Sequence, residues 1–173
     1  MNAATSAPAR LQGLAPVADK RTRLLVLGSF PGAASLAAQQ YYAHPRNHFW
    51  PIVSSLCGHD LRAMAYRDRL QEMQAFGIGV WDVYGACRRE GSLDSAIEQA
   101  EPNDLAALAA RLPALRAIAH NGGESARAMH ITRALGVQVF RLPSTSPANA
   151  SWSFERKWAA WREALVASGC CAA

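Results

Sequence analysis

Four stretches of this sequence carry side chains able to do chemistry, and three of them sit where an apolar run gives way to a turn. The first is Gly28-Ser29-Phe30-Pro31-Gly32, after the apolar run 24–27 and before a helical segment. Two glycines and a proline let the backbone turn sharply and bring its N–H groups close to something bound there. The second, Tyr41-Tyr42-Ala43-His44-Pro45-Arg46-Asn47-His48-Phe49-Trp50, holds four aromatic rings, two imidazoles, a guanidinium and a carboxamide. So many flat and hydrogen-bonding groups suit a flat, heteroatom-rich ligand such as a nucleobase. The same residues would equally serve as an aromatic helix start packed on the core. The third is Asp82, at the end of the apolar run 76–83, either a strand-end cap or a ligand contact. The fourth is the segment Leu142-Pro143-Ser144-Thr145-Ser146-Pro147-Ala148-Asn149-Ala150.

Metal chemistry has little support. Cys57, Cys87, Cys170 and Cys171 form no C-x-x-C pair, so neither a zinc site nor an iron–sulfur cluster is expected. They read as free thiols in a reducing compartment. His44 and His48 have a helical i,i+4 interval, but Pro45 sets His44 outside the helix that carries His48. No metal or organic cofactor is expected.

These groups need a scaffold, and the chain is large enough to supply one. With 173 residues, half of them apolar, it is expected to form one compact domain over 21–173. Residues 1–20, rich in Ala and Pro, read as a flexible leader and not as a signal peptide. No apolar run approaches a membrane span, so no membrane partner and a cytoplasmic location are expected. The net charge of +5 is almost wholly arginine, Lys20 and Lys157 being the only lysines. Arginine's forked geometry favours a phosphate-bearing partner, although solvated surface arginines would give the same balance.

Strands are expected over 23–28, 76–83, 114–119 and 137–142, alternating with helices over 33–40, 47–56, 61–75, 95–99, 102–111, 125–135 and 153–167. Pro51 falls in a first helical turn, where its missing N–H costs little. Residues 84–94 read as a polar loop with Arg88 and Arg89 exposed. Phe154, Trp158, Trp161 and Leu165 form a stripe at helical spacing and belong to the core. This alternation predicts a three-layer α/β/α sandwich around a four-stranded, mainly parallel sheet. Gly28, Asp82 and the 142–150 segment then meet at the carboxyl edge of that sheet and enclose one cleft.

Taken in order, GSFPG, YYAHPRNHFW, GVWDVYGAC, HNGG and LPSTSPAN resemble the uracil-DNA glycosylase superfamily. The nearest likeness is to the hypoxanthine-DNA (deoxyinosine) glycosylase family, from Arg23 to about Trp161. The resemblance implies a monofunctional enzyme of base excision repair that flips a deaminated base, hypoxanthine or uracil, out of double-stranded DNA and hydrolyses its N-glycosidic bond. It is expected to act as a monomer. The mismatch-specific branch carries G-x-N-P-G with a water-positioning Asn, and here that position is Phe30. The larger uracil enzymes have a catalytic Asp in the same turn, and this chain has none. His44-Pro45-Arg46-Asn47 matches the motif whose Asn is implicated in catalysis, so Asn47 is the expected catalytic residue, with a helix N-cap as the alternative.

By the same resemblance the base pocket comprises Gly28, Ser29, Phe30, Pro31, Tyr42, His44, Phe49 and Asp82. Phe30, Tyr42 and Phe49 are the candidates to stack on the base. Asp82 stands where relatives read the base with an Asn; ionised, it would accept the N1–H of hypoxanthine. Pro143, Ser144, Thr145, Ser146, Pro147 and Asn149 form the DNA-binding loop, with only Ser146 or Pro147 at the wedge position where relatives often carry Leu. Leu142 replaces a hydrogen-bond donor to the base. Lys20 and Lys157 lie outside every motif, so no Schiff-base lyase step is expected. Two rival readings stand beside this one: a DNA-binding member of the fold without catalysis, and a hydrolase of free nucleosides or nucleotides.

Overall fold

The computed structural model describes residues 6–173. Its centre is β2 (Leu24–Gly28), in which every residue is buried. An apolar strand with no polar face can exist only between two covering layers. β2 pairs in parallel with β3 (Ile78–Asp82) on one side and β6 (Ala117–Asn121) on the other, and β7 (Gln138–Leu142) extends the sheet in the order β3-β2-β6-β7.

Alternate β2 side chains feed two cores. Leu24 and Val26 pack with α2 (Phe49–Cys57), α3 (Tyr66–Ala75) and α7 (Phe154–Ala167) through Phe49, Ile52, Met73, Trp161 and Leu165. Leu25 and Leu27 pack on the other face with Leu105 and Leu108 of α4 (Leu105–Ala109). The expected three layers are therefore present. The short helices α1 (Ala33–Ala38), α5 (Gly123–Ala126) and α6 (Met129–Thr132) complete the connections. No helix among the described residues is long and apolar enough to cross a membrane.

The structure departs from the sequence reading in a second sheet. Residues 84–94, expected as a polar loop, begin with the strand β4 (Tyr84–Arg88), and the helix expected over 95–99 is a single 3-10 turn leading into β5 (Glu98–Pro102). β4 lies between β1 (Arg10–Gln12) and β5 in an antiparallel sheet. β5 reads Glu-Gln-Ala-Glu-Pro and is an exposed edge, so no apolar alternation marks it. β1 lies inside the segment expected to be a flexible leader. The chain beyond β1 is also fastened: Val17 bridges Val80, and the Leu14 carbonyl accepts the Trp81 Nε1–H at 3.2 Å. Residues 1–5 of that expected leader lie outside the described residues.

Two expected helices are broken. Over 61–75 the chain forms a 3-10 turn at Leu61–Ala63, is extended at Met64, and only then enters α3. Over 125–135 it divides into α5, α6 and a 3-10 turn. Here the buried imidazole of His120 lies between Ser125 Oγ and Thr132 Oγ1, at 2.8 Å from each. Ser125 Oγ also donates to the Leu27 carbonyl at 2.6 Å, which fixes α5 to the central strand.

Trp161 joins the core to the rim of the sheet. Its indole is buried edge-on against Phe49, with ring centroids 6.2 Å apart, and its Nε1–H donates to the Pro143 carbonyl at 3.1 Å. Trp161→Ala is expected to lower stability by about 3–5 kcal/mol, measured as the urea midpoint at constant slope. A wild-type midpoint would contradict this placement of the indole.

Candidate active site

β2 and β3 end side by side, with Gly28 opposite Asp82 in the parallel register. Beyond them opens a cleft of about 770 Å³ at the carboxyl edge of the sheet. Asp82 is only 5% exposed and forms part of its wall. A Cβ on Gly28 would stand 2.5 Å from Asp82 Oδ1, so only glycine leaves the carboxyl group room. Asp82 Oδ2 is buried and has no hydrogen-bond partner among the described residues. Removal from water, reinforced by the charge of Asp94 and opposed by Arg89, pushes its pKa up to about 7. The carboxyl group can therefore be a neutral acid near neutral pH, a form that both donates and accepts.

The turn after β2 is held from outside. The Gly28 and Ser29 carbonyls accept the N–H groups of Val83 and Tyr84, at 2.8 and 3.0 Å. Ser29 Oγ donates to Asp94 Oδ1 at 2.5 Å, and the Ala33 N–H donates to Ser92 Oγ at 2.9 Å. Arg89, expected on the surface, is instead buried. Its guanidinium donates to the carbonyls of Pro31 and Gly91 and sits 5.2 Å from the centroid of Phe30. The N–H groups of Phe30 and Gly32 have no acceptor among the described residues, and both residues border the cleft.

The aromatic block divides between pocket and core. Tyr42 adopts a left-handed backbone at φ 54°, which a bulky side chain rarely tolerates, and it borders the cleft. Its ring stacks on Phe49, centroids 4.1 Å apart at 24°. Phe49 is fully buried and lies in the core, not in the cleft as expected. It supports Tyr42 from behind. His44 and Asn47 border the cleft. His44 Nδ1 accepts the Arg46 N–H at 3.1 Å, leaving Nε2 as its other polar atom. Asn47 Oδ1 accepts the Phe49 N–H at 2.9 Å across His48, the N-cap residue of α2, so Asn47 closes an Asx-type turn just before the helix. That bond fixes the carboxamide orientation. It leaves Nδ2 and the second lone pair of Oδ1 for other partners.

Asn121, to which the sequence reading gave no role, locks the opposite wall. Its Oδ1 accepts the Thr145 N–H at 2.9 Å, while Nδ2 donates to Thr145 Oγ1 at 2.9 Å and to Tyr42 Oη at 3.3 Å. The Thr145 carbonyl accepts the His48 N–H at 2.9 Å. Thr145 is consequently buried, an anchor of the 143–149 loop more than a contact for a partner. Pro143, Ser144, Ser146, Pro147 and Asn149 also border the cleft, and Asn149 Nδ2 closes the loop on the Ser144 carbonyl at 3.1 Å. Leu142 is buried beneath it. The signal for Asn121 was present, since it ends a strand before Gly122-Gly123. Arg89, Ser92 and Asp94 had no comparable signal, because the turn they hold lies far away in sequence.

The cleft thus offers a buried carboxyl that can be neutral, the backbone N–H groups of Phe30 and Gly32, the aromatic rings of Phe30, Tyr41, Tyr42 and Trp152, and an oriented carboxamide. Such a set suits a flat heterocycle with an amide-like edge. The family model described as uracil DNA glycosylase superfamily matches residues 15–165. A protein of Methanosarcina barkeri named hypoxanthine DNA glycosylase is 39% identical over 154 residues, covering 89% of this chain and 97% of the relative. Its namesake in Methanosarcina acetivorans is 40% identical over 146 residues, covering 84% and 92%. A solution NMR structure of a candidate uracil DNA glycosylase from Methanosarcina acetivorans superposes with a TM-score of 0.79 at 37% identity, over 90% of this chain and 99% of that one. The family match spans most of the length, and the chain belongs to the uracil-DNA glycosylase superfamily.

Proposed function

We propose that this protein is a monofunctional DNA glycosylase that flips hypoxanthine out of duplex DNA and hydrolyses its N-glycosidic bond. The observation that carries the choice of base is the unpartnered, buried carboxyl of Asp82 against Gly28. Hypoxanthine presents an N1–H donor beside the O6 acceptor. A neutral carboxylic acid is complementary to that edge, its O–H donating to O6 and its carbonyl oxygen accepting N1–H. An ionised Asp82 would satisfy N1–H alone and would face O6 with a second negative group, so the neutral form replaces the ionised one expected from sequence. Uracil offers a similar N–H and C=O pair on a smaller ring and remains a weaker candidate substrate.

The chemistry follows from these placements. As the C1′–N9 bond lengthens, the sugar becomes oxocarbenium-like and negative charge spreads over the departing base toward O6. The Asp82 O–H bond to O6 strengthens as that charge grows, and the Phe30 and Gly32 N–H groups add preorganised donors at the same turn. Tyr42 and Phe30 flank the flat ring. Asn47 positions the attacking water through Nδ2 and the free lone pair of Oδ1. A neutral carboxamide suffices, because water adding to an oxocarbenium-like centre needs little general-base assistance. Among the described residues no lysine borders the cleft, which supports hydrolysis without a Schiff base. Arg141, exposed at the cleft, is placed to meet a phosphate.

The bond from the Phe49 N–H to Asn47 favours a second reading in which this residue is structural, and two variants separate them. Asn47→Ala removes both the turn bond and the carboxamide; Asn47→Ser keeps a side-chain acceptor for the Phe49 N–H and removes the carboxamide. Both are expected to slow hypoxanthine release from duplex DNA by about a hundredfold or more, while the Ser variant melts close to wild type. Wild-type release by Asn47→Ser would reduce Asn47 to a turn-forming residue.

The Asp82 assignment makes a separate prediction. The kcat/KM for base release is expected to fall as pH rises through about 7, as the carboxyl of the free enzyme loses its proton. Asp82→Asn keeps one donor and one acceptor without titrating, so this variant should retain activity and lose that limb of the profile. Inactivity of Asp82→Asn, or release that rises with pH through neutrality, would show that the ionised form is the working one.

A further inference from the structure

Leu93 is 59% exposed, one of two large apolar side chains that the fold leaves outside its core among the described residues. An isolated exposed leucine is ordinary. This one borders the mouth of the cleft, on a segment fixed on both sides. Ser92 accepts the Ala33 N–H and Asp94 accepts the Ser29 hydroxyl, so both neighbours of Leu93 are tied to the turn that follows β2. The Leu93 carbonyl accepts the Ala96 N–H at 3.1 Å, and Arg89 Nε holds the Gly91 carbonyl at 3.0 Å. The apolar side chain is therefore presented on a braced tip.

The connection from β7 to α7 presents no large apolar side chain as exposed as Leu93: Trp152, which borders the cleft, is half-buried with the Arg156 guanidinium 4.1 Å from its ring centroid. The 143–149 loop offers Ser146 and Pro147, both half-buried, and Ala148. A nucleotide leaving a duplex opens a gap whose unstacking costs a few kcal/mol, and an apolar side chain inserted between base steps offsets it. We propose that Leu93 is that wedge: it enters the base stack of duplex DNA at the position vacated by the flipped nucleotide, a task the 143–149 loop lacks the side chain to perform. This inference rests on the reading of the chain as a glycosylase of duplex DNA. It assigns the filling of the gap to the segment after β4.

Two measurements test it. In single-turnover reactions, Leu93→Ala is expected to slow hypoxanthine release from a duplex roughly tenfold or more, the rate equivalent of the unstacking left uncompensated. Release from a single strand, which has no gap to fill, should stay at the wild-type rate. Leu93→Met should restore duplex release, and Ile131→Ala, the other exposed apolar side chain, should leave both rates unchanged. The second measurement needs no catalysis: a duplex with 2-aminopurine beside a tetrahydrofuran abasic analogue should brighten when wild type binds and unstacks the reporter, and brighten much less with Leu93→Ala. Equal slowing on single and double strands, or equal fluorescence with wild type and Leu93→Ala, would overturn the assignment. If wild type releases no hypoxanthine, the proposed substrate fails, and the fluorescence measurement still decides whether Leu93 inserts.

Discussion

The site depends on one close approach, the missing side chain of Gly28 against the carboxyl group of Asp82. The parallel pairing of β2 with β3 places the two residues opposite each other, and the 2.5 Å clearance to a notional Cβ shows that any other residue would displace the carboxyl. Three properties follow from that contact. Asp82 stays buried, its Oδ2 has no partner among the described residues, and removal from water pushes its pKa up to about 7. A buried, unsatisfied carboxyl is costly to a fold. Its retention at the end of the most buried strand pair makes sense where a ligand supplies the missing partner.

Around this point the protein invests in fixing loops. Asn121 satisfies the backbone and hydroxyl of Thr145 together, while Arg89, Ser92 and Asp94 hold the turn after Gly28. Each clamp joins segments far apart in the chain, so the walls of the cleft move only if tertiary bonds break. Tyr42 belongs to the same economy. Its left-handed backbone is unfavourable by itself and persists because Phe49 stacks behind it and Asn121 holds its hydroxyl. Preorganisation of this kind places donors before the reaction begins, when reorganising them would otherwise raise the barrier.

The sequence made the parallel sheet legible because β2, β3 and β6 are nearly continuous apolar runs, and strands covered on both faces leave that signature. It made the position of the cleft legible because glycine-rich turns end two of the strands. The second sheet was not legible. β5 is polar throughout, and β1 gains its partner only from β4, more than seventy residues on. Arg89 failed for a similar reason: its burial is decided by Pro31, 58 residues away, and by the ring of Phe30. Tyr42 and Phe49 could not be told apart by type, since the backbone angle at Tyr42 decides which ring faces the cleft. Asn47 was readable as either a cap or a chemical group, and in the structure it closes the turn before α2 and borders the cleft, while His48 takes the cap position.

Phe30 makes chemical sense within this arrangement. It stands where related turns carry a water-holding side chain, and it brings an apolar ring to the cleft under the Arg89 guanidinium. A polar side chain there would draw water toward Asp82 and favour its ionised form. An aromatic ring does the reverse and helps keep the acid neutral. On the proposed reading, the loss of a water-holding group from the turn is coupled to the gain of a proton donor for the base. Water handling moves to the carboxamide at the start of α2. The balance of catalysis then shifts from activating the nucleophile to stabilising the leaving group, which suits a glycosidic bond that breaks early and a base whose lactam already spreads the departing charge.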